Sequence, residues 1–358
     1  MLALPFDVGR LEVTGGPVPL IDDVAQSAGR VSGAAQFAVS GDGTLVYVPS
    51  SSLSVARAAR FFWVDRMGRE EPASAPPRLY LVPRISPDGG RVAYQIVDGN
   101  DTNIWTYEFR RGIFQRLTSD PGRDSEPVWS PDGHRIAYHS SAHEGGPGIF
   151  VRAADGTGDV EQLTTGTHLP SSWSPDGRIV FQDFGMNGIS PTAPTDLRIV
   201  RVTGDHRVET LLATPARESG GRVAPNGRWL AYESNETGEN AIIVRPFPAV
   251  STARWPLSSG GGENPMWARN SQTLFYRKGQ AVMAVAVRGA TPADWGTPER
   301  LFEGPYFVID GPTMFDVAPD ERFLMLKQSG DDGEPPARDS LIVVQHWFEE
   351  LKRRVPTN

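Results

Sequence analysis

The 358-residue chain has no cysteine. Disulfides, thiolate metal sites and cysteine nucleophiles are therefore excluded, while the compartment stays open, since such a protein is indifferent to redox conditions. Basic clustering is also lacking. No run of arginine exceeds the pairs Arg110–Arg111 and Arg353–Arg354, and the formal charge is −8 with a pI near 5.4. Nucleic acid normally demands a basic patch, so it is not an expected partner. No apolar run approaches the roughly 20 residues of a membrane span, and no membrane insertion by this chain is expected. The opening Met-Leu-Ala-Leu-Pro-Phe-Asp lacks the basic and long apolar regions of a signal peptide. The chain is expected to be cytoplasmic, or extracytoplasmic if it belongs to a larger membrane-anchored protein.

Motifs of chemistry are scarce too. No Gly-x-Ser-x-Gly elbow of a serine hydrolase occurs. The glycine-rich Ser258–Asn264 is not followed by Gly-Lys-Ser/Thr, which argues against a phosphate cradle. His139 and His143 have a spacing that suits zinc on a helix, but they fall on a strand end and its loop, with no third ligand nearby. Asp98-Gly-Asn-Asp-Thr-Asn103 lacks the closing glutamate of a calcium loop and reads as a polar hairpin. No metal or cofactor is expected.

Glycine (38) and proline (31) are abundant. They favour many tight turns over long helices, and so an all-β fold. A repeat fixes which one. Pro127-Val-Trp-Ser-Pro-Asp-Gly-His-Arg-Ile-Ala-Tyr138 has copies at 83–94, 172–181 and 222–232, and weaker copies at 37–47, 265–276 and 316–326. The seven turn positions fall at 43, 89, 133, 177, 227, 271 and 321, 44 to 50 residues apart. In Ser-Pro-Asp-Gly, proline presets φ, aspartate bonds the local backbone and glycine supplies a left-handed residue that closes a hairpin. Two further strands follow in most copies. Four antiparallel strands in about 45 residues make one propeller blade.

The expected fold is thus all-β: a seven-bladed β-propeller of four-stranded antiparallel blades in a single domain, 1–358. The blade cores are expected near 37–76, 83–119, 127–164, 171–214, 222–257, 265–303 and 314–347. The stretch 16–22 would serve as an N-terminal outer strand that closes the last blade and removes an open edge. Leu2–Phe6 looks like a surplus inner strand, and Trp347–Arg353 like a short terminal helix. Ser271 and Glu321 stand where glycine is expected, so those turns should be strained or of another type.

The Ser-Pro-Asp-Gly-x-x-Ile-Ala-Tyr core resembles the TolB-like (WD40-like) propeller repeat. Leu230–Gly238, Val244–Pro248, Thr273–Arg277 and Trp347–Lys352 make the chain similar to the C-terminal propeller region of some bacterial serine/threonine protein kinases. That resemblance implies a sensor lying outside a membrane-anchored kinase. The Gly-x-Gly-x-x-Gly, His-Arg-Asp and Asp-Phe-Gly motifs of the kinase itself are missing here.

Strand alternation nominates the residues of the channel. The residue before each buried Trp, Ile or Val has the opposite parity: Ala38, Arg84, Val128, Ser172, Arg222, Met266 and Asp316. Two positions earlier, near the mouth, stand Gln36, Glu126, Pro170, Gly220 and Asn264. Arg84, Arg222, Asp316, Glu126, Asn264 and Gln36 are therefore the candidate ligand-binding residues, with Arg84 and Arg222 placed to grip an anion. With the four strands of a blade lettered a to d from the innermost outward, the expected function is a non-catalytic module for a protein, peptide or envelope ligand, contacted through the b–c and d–a loops. The alternative is a channel-type enzyme, such as a calcium-dependent lactonase or glycosidase.

Overall fold

The Ser-Pro-Asp-Gly turns fold as their chemistry directs. Ser86 Oγ donates to Asp88 Oδ1 at 2.5 Å and accepts from Arg91 N at 2.9 Å, while Asp88 Oδ1 takes the Gly90 N–H at 3.0 Å. Ser130 and Asp132 repeat the pattern. The serine hydroxyl and the backbone amide hold both aspartates below the usual carboxylate range. The closing residue is left-handed in every copy, including Ser271 (φ 60°) and Glu321 (φ 63°). Those two turns are therefore of the same type as the glycine turns, and a non-glycine residue bears the backbone strain.

The computed structural model describes residues 2–7, 9–21, 24, 35–49, 59–98, 101–185, 194–289, 291–309, 311–328 and 341–355. These fall into two compact units, 58–329 and the pair of segments 1–57 and 330–358.

Among the described residues, the larger unit contains six four-stranded antiparallel sheets. Their innermost strands are Tyr80–Ile85, Asp124–Trp129, His168–Trp173, Glu218–Val223, Glu263–Trp267 and Phe315–Val317. Each packs against the next, and the last returns to the first, so the ring closes. In the last blade the two inner strands, Phe315–Val317 and Phe323–Gln328, are completed by Ala59–Val64 and Glu70–Pro72 from the other end of the unit. Buried Phe61, Phe62 and Val64 supply the apolar surface this blade needs.

The four-stranded propeller architecture expected from the repeat is present, but the count and the closure differ. Six of the seven copies build the ring. The copy at 37–47 instead pairs with Ile342–Val344 in a three-stranded sheet of the smaller unit. The outer strands assigned to that copy, within 59–72, serve the last blade, and the third strand assigned to the last blade, at 342–344, serves that copy. The stretch 16–22 does not close the ring: Val18–Pro19 pairs with Leu2–Ala3. Phe6, the last residue of the expected surplus strand, pairs with Val13 in a separate two-stranded sheet, Phe6–Asp7 with Glu12–Val13. The terminal helix is present as Trp347–Arg354, with Trp347 packed among Leu20, Leu45 and Val355.

The core of the ring lies between blades. Trp129, Trp173, Trp267, Ile85, Val223 and Val317 are all buried at equivalent sites. Trp129 Nε1 donates to Arg84 O at 2.8 Å and Trp267 Nε1 to Arg222 O at 2.9 Å, each bond crossing a blade boundary. Arg91 and Arg135, just past their turns, stack over Trp129 and Trp173 of the following blade at 4.8 and 5.1 Å. Such contacts add cation–π attraction to apolar burial.

Candidate functional site

The six innermost strands converge on a central cavity of about 350 Å³. Arg84, Val128, Ser172, Arg222, Met266 and Asp316 all line it. Six of the seven positions nominated by alternation therefore face the channel. The seventh, Ala38, belongs to the smaller unit.

The second set behaves differently, and a β-bulge explains why. Each of the first five inner strands slips its register near this point, between Ser125 and Val128 and between Glu263 and Met266 for instance. Glu126 (φ 54°), Gly220 (φ 62°) and Asn264 (φ 57°) are left-handed there. A bulge inserts one residue and breaks the alternation. Glu126 and Asn264 are thus buried but not among the lining residues. Gln36 lies in the smaller unit, where its carbonyl accepts from Val48 N, and takes no part in the cavity.

The cavity also lies at the end of the ring away from the expected contact loops. Its walls include Pro87, Pro131, Pro175 and Pro225, the prolines of the a–b turns. The same register reveals a lining residue that the sequence reading missed. Arg269, in Ala268-Arg269-Asn270-Ser271, occupies the proline slot of the turn and lines the cavity. The departure of this copy from Ser-Pro-Asp-Gly was the available signal.

Three guanidinium groups therefore face one lining carboxylate. Arg84 is almost fully buried, and its Nη1 donates to Pro83 O at 2.7 Å and Thr313 O at 3.1 Å. Its nearest carboxylate oxygen is Glu126 Oε2, 3.9 Å from Nη2. Arg269 Nη2 donates to Ile85 O at 2.7 Å and stands 3.9 Å from Asp316 Oδ2. Arg222 Nη1 donates to Ser171 O, and among the described residues it makes no ion pair. The Nε atoms of all three have no hydrogen-bond partner. Asp316 is already engaged, because Oδ2 accepts from Ile85 N at 2.6 Å and Oδ1 from Val317 N at 2.8 Å. Burial pushes the pKa of Arg84 down against the opposing pull of Glu126 and Asp316. Arg222 is pushed down by burial first and by the neighbouring charge of Arg84 second.

A channel calcium ion does not fit this lining. Calcium takes six to eight oxygen ligands, whereas the walls offer one engaged carboxylate, three serine hydroxyls and three cations. Elsewhere, among the described residues, no group of three or more His, Asp or Glu is placed to hold a metal. His143 Nε2 lies 3.6 Å from Asp120. Asp98 pairs with Asp101 between two strands of the first blade, while Gly99 and Asn100 of the expected polar hairpin lie outside the described residues.

A profile described as the TolB beta propeller domain matches residues 65–273. An uncharacterized peptidase of Bacillus subtilis is 26% identical over 195 residues, 43% of this chain and 29% of that protein. An uncharacterized protein of Agrobacterium fabrum is 30% identical over 169 residues, 46% of this chain and 54% of that protein. The chain thus spans between about a third and about half of these curated relatives. Among solved structures, a candidate TolB from Agrobacterium tumefaciens superposes with a TM-score of 0.61 at 16% identity, covering 76% of this chain and 99% of that one.

Proposed function

This chain belongs to the TolB β-propeller family, and from that premise we propose that its ring is a non-catalytic binding module for a protein or peptide. The observation that carries the reading is the central cavity, built by the inner strands of all six blades and framed by the a–b turns. Rigid scaffolds commonly bind through a concavity that several elements share. The docking face is the a–b end, where Pro131, Pro175 and Arg269 meet the cavity. By its likeness to the kinase-associated propellers the ring serves as an extracytoplasmic sensor, and reading the frame upstream of Met1 tests that part.

Site-specific photo-cross-linking tests the module. A benzophenone side chain at Pro175 reports the a–b face, and one at Thr237, in the exposed loop joining two strands of blade four, reports the opposite end. Adducts to one partner from Pro175 and not from Thr237 are expected. Adducts confined to Thr237, or none from either site, overturn the reading.

A further inference from the structure

The charges of the cavity walls do not balance, and the imbalance specifies a ligand. A charge removed from water is stable only when paired and hydrogen-bonded. Arg84 and Arg269 each have a carboxylate oxygen at 3.9 Å, beyond hydrogen-bond reach. Arg222 makes no ion pair among the described residues, yet it lines the cavity and keeps part of its surface exposed. The one carboxylate on the wall, Asp316, spends both oxygens on backbone amides. Three planar guanidiniums on separate blades thus donate to backbone carbonyls but, among the described residues, have no carboxylate within hydrogen-bond reach, and planar forks match carboxylates well.

Resting on the module reading, we propose that the cavity is a carboxylate site, and that an acidic side chain or the terminal carboxylate of the partner peptide enters it between Arg222, Arg84 and Arg269. The size agrees: about 350 Å³ holds a side chain or a chain end, not a folded element. Trp129, Trp173 and Trp267 line the same space. The flanking Ser172 Oγ accepts the Val223 N–H at 3.0 Å, so its own O–H can donate to a carboxylate beside the guanidiniums.

The test uses the full chain and two probes, doubly capped tetraglutamate and free succinate, with capped tetraglutamine as the neutral control. The indole N–H resonances of Trp129 and Trp267 report binding, because these groups bond the carbonyls of Arg84 and Arg222. Tetraglutamate is expected to shift both and tetraglutamine neither. Arg222→Gln and Arg269→Gln are each expected to weaken tetraglutamate at least tenfold, and raised salt to weaken it in the parent. Arg269 sits on a partly exposed turn, so its variant remains informative should Arg222→Gln fail to fold. Equal affinity in both variants, or equal binding of tetraglutamine, overturns the carboxylate site. Binding of succinate without tetraglutamate overturns the peptide source. Neither result touches the cross-linking outcome, so failure here and failure of the module reading are separable.

Discussion

Glu233 Oε1 accepts the backbone N–H of Asn264 at 2.7 Å, across the boundary between two blades. The residue at the same repeat position in blade one, Gln95, does the same for the N–H of Glu126 at 3.2 Å. In both cases the donor is the left-handed bulge residue of the next blade's inner strand. A bulge leaves an amide outside the strand ladder, and a polar side chain from the preceding blade satisfies it. The two latches differ only in that one acceptor titrates.

Glu233 should make stability depend on pH. Burial raises its pKa from 4.5 to about 7, with Glu263 adding repulsion while Asn264 N, Arg217 and Ser219 act the other way. The folded state therefore holds a proton that the unfolded chain releases near pH 4.5. Stability from this group is full below that value, falls as pH rises through about 7, and then levels off. The whole change is at most about 3 kcal/mol. Glu233→Gln, which copies the Gln95 latch, is expected to raise the Tm at pH 8 and leave it unchanged at pH 4. Thermal melts across that range decide it, and a Tm gain of equal size at both ends excludes titration of Glu233 as the cause.

The repeat made most of the ring readable. Turn residues at fixed intervals gave the blade, and period-two alternation gave six lining residues, because both depend on neighbours along the chain. Two things were hidden. One was the partner of each outer strand: 59–72 carries the marks of outer strands wherever it pairs, and only ring closure assigns it to the last blade. The other was the bulge, which turned Glu126 and Asn264 off the channel although nothing in Asp-Ser-Glu-Pro or Glu-Asn-Pro announces φ above zero. Arg269 was legible in principle, since it stands in the proline slot of an aligned turn.

Closure by the segment 59–72 makes Phe61 a keystone of the last blade. Its ring is fully buried and stacks on Tyr80 of the first blade with centroids 4.3 Å apart. Phe61→Ala leaves a cavity at the seam and should cost about 3–5 kcal/mol. Urea denaturation measures it. A cost below 1 kcal/mol is incompatible with a ring sealed at this strand.

Trp267 joins structure to site. Its indole N–H holds the carbonyl of Arg222, which makes no ion pair among the described residues. Trp267→Phe keeps much of the apolar contact and removes that donor, at a cost of about 1–3 kcal/mol. Because the loosened backbone carries Arg222, tetraglutamate binding should weaken several-fold more than in Trp173→Phe, where no indole bond to the preceding blade is made among the described residues. Titrations of the two variants side by side check this, and equal losses count against a positioning role.

Three cations gathered around one engaged carboxylate should burden the fold. Burial and the charge of Arg84 lower the pKa of Arg222 against the opposing pull of Asp316, Glu126 and Glu233, and among the described residues no carboxylate lies within ion-pair distance of it. Replacing a largely desolvated charge that has no directly bonded carboxylate by an apolar group of similar length is commonly neutral or favourable. Arg222→Met is therefore expected to raise unfolding free energy by about 1 kcal/mol while abolishing the response to tetraglutamate. Loss of 2 kcal/mol or more in the variant, read from denaturant midpoints, means that Arg222 serves the scaffold through its bond to Ser171 O and not a ligand.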